Sequence, residues 1–113
     1  MKRGLIVVAA SLGFAAGAFA EECSREAAPA VPDGANASME EMVAGQQAVK
    51  TYLASGNAFL SCLEQEQTAA GEEESEEQRA DRLVRYNAAV DEMQEVGDKF
   101  NAAIKAFKAA NPQ

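Results

Sequence analysis

From residue 39 onward the strongest pattern in the chain is a stripe of positions recurring at alternating spacings of three and four. It runs Met39, Met42, Gln46, Val49, Leu53, Gly56, Leu60, Leu63, with Gln46 and Gly56 as its weak places. A cleaner stripe follows through Leu83, Tyr86, Val90, Met93, Gly97, Phe100, Ile104 and Phe107. Such spacing places one apolar face along each of two helices. Ser38-Met39-Glu40-Glu41 is a capping box, in which the Ser38 hydroxyl accepts from the Glu41 N–H and the Glu41 carboxylate reaches back to the Ser38 N–H. Ser75-Glu76-Glu77-Gln78 repeats it, and acidic residues 72–77 sit where the second helix dipole is positive. The period fades after Gln65, Gly71 is a natural residue to follow a helix end, and Asn111-Pro112 stops the second helix. The pattern thus predicts helices over 39–69 and 76–110, joined by an acidic loop at 70–75.

Two long helices on a short loop bury their stripes only if they lie antiparallel. The fold class is therefore all-α, an antiparallel two-helix hairpin of coiled-coil type. Folding the chain about Gly71 pairs Met42 with Phe100, Val49 with Met93, Leu53 with Val90 or Ala89, and Gly56 with Tyr86, so that a large residue meets a glycine. The same register sets Gly97 opposite Gly45 and Gln46, a thin place between the helices.

Upstream, residues 24–37 hold Pro29, Pro32 and Gly34 and follow neither period. Residues 21–37 are expected to form an extended strap biased toward polyproline II. Residues 1–20 read as a cleavable export signal, with Lys2 and Arg3 as a positive start, an apolar stretch from Leu5 to Phe19, and Ala18-Phe19-Ala20 before Glu21. The apolar stretch falls short of the roughly 20 residues that span a bilayer, which disfavours a membrane anchor and predicts no membrane insertion after cleavage. Ala20, Glu21 and Glu22 before Cys23 do not suit lipidation. Without Lys2 and Arg3, the 10 basic residues become 8 against 18 acidic ones, a formal charge of −10 for the mature chain. Such a polyanion is a poor partner for nucleic acid and anionic membranes.

Export changes the reading of the two cysteines, because an oxidising compartment favours their pairing. Cys62 lies 24 residues after Ser38, about 36 Å along a helix. The 15 residues from Cys23 to Ser38 reach roughly 46 Å in polyproline II, so the strap can run back along the first helix to Cys62. On that helix Gly45, Ala48, Tyr52, Ser55, Phe59 and Cys62 share one flank, small residues alternating with aromatics as a groove for an extended chain requires. Val31 and the prolines are positioned to cover Tyr52 and Phe59. Two other arrangements satisfy the same residues: Tyr52 and Phe59 as a dimer contact beside a loose strap, or cysteines bridging two chains. The opposite flank is polar, with Lys50 and Asn57 facing Asn87, Gln94 and Asn101, which recur every seven residues. Tyr52, Phe59, Asn87, Gln94 and Asn101 are the candidate interaction surface.

No histidine is present, which removes the usual general base and the commonest transition-metal ligand. Two distant cysteines form neither a redox motif nor a zinc site, and no glycine-rich phosphate loop follows a strand. No catalytic residue, metal site or cofactor is expected, and the chain reads as a non-enzyme. Carboxylates gather at the hairpin tip, at Glu64, Glu66, Glu72, Glu73, Glu74, Glu76 and Glu77, without the loop spacing of a calcium site. Beside them Arg79, Arg82 and Arg85 form a basic stripe, with Asp81 to Arg85 and Glu76 to Arg79 as helix-surface pairs and Arg82 set to stack on Phe59. Asn36-Ala37-Ser38 matches a glycosylation sequon, but the alanine-rich signal suggests a bacterial exported protein, for which such a match is expected to be chance.

Cys23, the Pro-Asp-Gly strap, the stretch from Met42 to Tyr52, Cys62-Leu63, and the run from Arg85 through Asn101 resemble small exported proteins of proteobacteria with a helical-hairpin pattern and no assigned activity. The resemblance implies export and helical architecture only. The expected function is a protein-interaction module of the periplasm, or alternatively the extracellular space, with an envelope protein as partner and a monomeric or homodimeric state. Alternatives are an oligomeric four-helix bundle formed through Val43, Val84, Val96 and the Tyr52/Phe59 flank, and an acidic cation-binding protein acting through the glutamates of the tip.

Overall fold

The computed structural model describes residues 22–112. The expected signal segment and its cleavage junction lie outside them. The fold is all-α: a helix over Met39–Ala70 (α1), a 3-10 turn over Gly71–Glu73, and a helix over Glu76–Ala110 (α2), the two long helices forming an antiparallel hairpin. Both capping boxes form. The Ser38 hydroxyl accepts from the Glu41 N–H at 3.1 Å and the Ser38 N–H donates to the Glu41 carboxylate at 3.1 Å. Ser75 and Gln78 repeat the arrangement at 3.1 Å in each direction. At the far end of α1, Gly71 takes φ 55 and ψ −139 and donates its N–H to the Gln67 carbonyl. That backbone is open to glycine and costly for any residue with a Cβ.

The helix stop lies one residue beyond the predicted one, and the chain reverses about the middle of segment 71–75 rather than at Gly71. The facing register shifts accordingly. Gly56 faces Met93, whose sulfur a Cβ at Gly56 would strike at 2.6 Å, instead of Tyr86. The principle that a large residue meets the glycine survives with a different partner, displaced by two turns of α2. Gly45 likewise does not face Gly97. It receives Pro32 of the strap and the Phe100 ring, whereas a Cβ at Gly97 would meet nothing within 4 Å.

The strap is a third layer. Cys23 is disulfide-bonded to Cys62 with Cα atoms 5.7 Å apart. Moving along the chain from there, the Glu26 N–H donates to the Ser55 hydroxyl at 3.3 Å, Pro32 packs on Gly45, and Val31 and Ala37 join the core. The strap thus descends antiparallel to α1. It also touches α2, since Gly34 lies against the Ala103 backbone so closely that a Cβ would collide with its carbonyl. At the bottom Asp33 turns the chain into α1. One of its carboxylate oxygens accepts from the Ala35 N–H at 3.2 Å and the other from the Asn36 amide at 2.6 Å, and its carbonyl accepts from the Asn36 N–H at 3.0 Å.

This third layer widens the core beyond the predicted seams, of which Met42, Val49, Gly56 and Leu63 on α1 but only Phe100 on α2 are buried. On α1 the buried residues are Met42, Gly45, Val49, Tyr52, Gly56, Phe59 and Leu63, and on α2 Arg82, Ala89, Val96, Phe100 and Ala103. Leu53, Leu60, Tyr86, Val90, Met93, Ile104 and Phe107 of the predicted stripes are only half-buried, and Leu83 is 58% exposed. Each helix is rotated toward the strap, because burial follows the surface covered from two sides rather than the line between two helices alone.

Candidate interaction face

The hairpin presents two faces between its helices. On the strap side, Tyr52 is 1% exposed and Phe59 5%. Both belong to the core, which corrects the expectation that they offer an interaction surface or a dimer contact. Val96, at 4%, leaves the proposed bundle interface with them. Ala48 stands apart from its expected flank and faces solvent.

A polar knot pins the strap over this side. The Tyr52 hydroxyl donates to a Glu92 carboxylate oxygen at 2.6 Å, and Arg25 reaches the same oxygen at 3.1 Å. The Arg25 guanidinium lies 5.7 Å above the centre of the Phe59 ring. Arg25, not Arg82, therefore stacks on Phe59. Burial pushes the Tyr52 hydroxyl up to about 12, helped by its hydrogen bond to Glu92 and by that carboxylate's charge. Neither Arg25 nor Glu92 stood out in the sequence, where both resemble solvated charges. The signal available was the position of Glu92 on α2, one helix turn from both Ala89 and Val96.

At the tip Arg82 turns inward. Arg82 is buried and ion-paired with Glu74, whose side chain is 2% exposed, and it lies 3.6 Å from Glu66. Arg85 bridges Glu66 at 3.1 Å and Asp81 at 3.1 Å, and Arg79 pairs with Glu74 at 3.8 Å rather than with Glu76. Glu66 and Glu74 neutralise arginines, and among the described residues no three acidic or cysteine side chains converge as a metal site requires.

The opposite face is open. At the end away from the tip, Met39, Val43, Ile104 and Phe107 line an apolar groove of about 520 Å³ with Lys108 on its rim. Near the tip, Leu63, Leu83 and Tyr86 line a second groove of about 390 Å³, rimmed by Glu64 and Arg79. Between them lie half-buried Leu53, Leu60 and Val90. Asn87, Gln94 and Asn101 are all exposed, and along the helix wheel of α2 they border this face. Lys50 and Asn57 border it on α1 and are also exposed. The candidate surface thus narrows to the amide row and the unburied half of the two apolar stripes.

Among the described residues no helix is long and apolar enough to cross a membrane. Comparison with known proteins finds no matching family model, no matching curated protein and no matching solved structure.

Proposed function

We propose that this chain is an exported, non-enzymatic hairpin acting as a protein-interaction module in the bacterial envelope, and that the open face is the surface it presents. One observation carries the reading. The strap covers one side of the hairpin with a third layer carrying Pro29 and Pro32, while the other side leaves Met39, Val43 and Leu83 exposed and Leu53, Leu60 and Val90 half-buried, bordered by a row of amides and by a few charges of both signs. Contiguous apolar surface rimmed by polar groups marks interaction sites on soluble proteins. Export is supported by the N-terminal pattern and by a covalent bridge that persists in oxidising compartments. The periplasm is the proposed destination, with the extracellular space as the alternative.

Two measurements test this. The protein recovered from the envelope fraction of an expressing bacterium is expected to begin at Glu21 with both thiols oxidised; full-length protein retained in the cytoplasm overturns the export reading. A photo-reactive residue at Gln94, on the open face, is expected to give discrete protein adducts in intact cells, whereas one at Ala102, on the outer side of α2, gives none. Equal labelling from both positions, or none from Gln94, overturns the open-face reading.

A further inference from the structure

The two grooves of the open face differ in the charges that line them. Near the tip, Glu64, Arg79 and Arg82 all line the smaller groove, which therefore carries both signs. At the other end, among the described residues, the groove of about 520 Å³ has one charged lining group, Lys108, at its outer end. Its walls are Met39 and Val43 of α1 against Ile104 and Phe107 of α2, and Gln46 and Phe100 mark its inner end. Glu40 and Glu41, the acidic residues in the first turn of α1, do not line it.

Lys108 continues the row of Asn87, Gln94 and Asn101 at the same spacing of seven, so the border of the open face turns cationic only here. Lys105 lies one turn before it and is also exposed, and neither lysine has an ion-pair partner among the described residues. Toward the tip, Gly97 shares a helix row with Ile104 and Lys108. A Cβ there would meet nothing within 4 Å, so the surface stays low past Phe100. Lys108 and Gly97 are 11 residues apart, about 16 Å of helix. The groove is thus cationic at one end and uncharged along the rest, and apolar walls with one orienting polar group are the make-up of a small-molecule site. An extended peptide laid there would leave backbone N–H and C=O groups without partners. Gln46 and Asn111 are the amides that line the groove, and Asn111 already donates to the Phe107 carbonyl at 2.9 Å. An acyl chain has no such groups to satisfy, and the thioethers of Met39 and Met42 adapt to its shape. A single anion, unlike an anionic membrane surface, meets the local charge rather than that of the whole chain.

We infer that the larger groove binds one free fatty-acid anion, its carboxylate at Lys108 and its chain running between Val43 and Ile104 toward Gly97. An extended dodecanoyl chain matches that length. This site goes beyond the open face as a protein-interaction surface and does not depend on it.

Titration calorimetry of the oxidised mature protein with dodecanoate, below its micelle concentration and at moderate salt, tests the site. Saturable binding of one molecule per chain is expected, with dodecyltrimethylammonium, the same tail under the opposite charge, about tenfold weaker. Lys108→Gln weakens dodecanoate about fivefold, and Lys108→Glu makes the cationic amphiphile the tighter ligand. Val43→Asp, at a position 47% exposed, abolishes dodecanoate binding and leaves helix content unchanged. No saturable heat, several molecules per chain, equal affinity for the two head groups, or full binding by Val43→Asp overturns the proposal. In intact cells a photo-reactive residue at Val43 is expected to give an adduct at the mass of one fatty acid. Adducts only with proteins, a second copy of this chain included, overturn it. Adducts from Gln94 report separately on the open face as a protein-interaction surface, so either reading can fail while the other stands.

Discussion

Tyr52 shows how one side chain can hold three parts of the chain together. Its ring is buried on α1, its hydroxyl donates to Glu92 of α2, and Arg25 of the strap shares that carboxylate. Because the folded protein holds the phenol up to about 12, against 10.0 when unperturbed, the unfolded chain loses this proton first as pH rises. The stability contributed is fully present below pH 10 and is lost toward pH 12, about 2 to 3 kcal/mol over that window. Tyr52→Phe is therefore expected to remove this part of the alkaline fall in stability, measured as the difference between wild-type and variant urea midpoints from pH 9 to 12. Parallel curves would refute the coupling. The glycines make a second contrast at this scale. A Cβ at Gly97 meets nothing, so Gly97→Ala gains helix propensity and should raise the melting temperature of dilute protein by about 4 to 8 °C, for about 1 kcal/mol. At Gly34 the added carbon meets the Ala103 backbone. Gly34→Ala should lift the strap, lowering the melting temperature and raising amide exchange between residues 24 and 36.

The helices and the strap were legible to different degrees. Both capping boxes, the positive-φ glycine and the Asn-Pro stop are local signals, and local signals fixed where α1 and α2 begin and end to within a residue. The groove of Gly45, Tyr52, Phe59 and Cys62 was also readable, because small residues alternating with aromatics leave room for an extended chain. Its counterpart on α2 was missed although its spacing was visible. Arg82, Ala89, Val96 and Ala103 recur every seven residues and are all buried, but small side chains and an arginine do not register as an apolar stripe. Register was the other loss, since it depends on the shape of segment 71–75, where a 3-10 turn and a cap place the reversal beyond Gly71. The element whose covalent tie matters most is the strap. Its bridge closes a separation of 39 residues, worth on the order of 4 kcal/mol if it acts by restricting the unfolded chain. Cys62→Ser should lower the melting temperature on the order of 20 °C, and treating the wild type with a reductant should reproduce that shift. A change of a few degrees in both would mean that the strap's packing, rather than the bond, holds it.

Taken as a whole, the molecule is too slender to bury both sides of each apolar stripe, and the strap decides which side is covered. A two-helix hairpin alone would centre its core on the line between the helices, as the heptad pattern predicted from Leu53, Leu60, Val90 and Ile104. The observed core keeps Met42, Val49, Leu63 and Phe100 of the predicted stripes and extends to one side, onto Tyr52, Phe59, Ala89, Val96 and Ala103, where a third segment excludes water. Periodicity reports which faces are apolar, but it carries no information about a layer that has no period of its own, and residues 24–37 have none. The strap's role can be isolated by starting the chain at Ala37, which keeps the Ser38 cap and both helices while removing Arg25, Pro32 and Gly34 from the core. That variant should retain most of its helical circular dichroism at low temperature, because the caps and half of each stripe remain. It should also bind a hydrophobic dye and melt over a broad range, since Tyr52, Phe59 and Val96 would then face water. If it instead melted as sharply as the intact protein without binding dye, the hairpin would be self-sufficient and the displaced core would need a cause other than the strap.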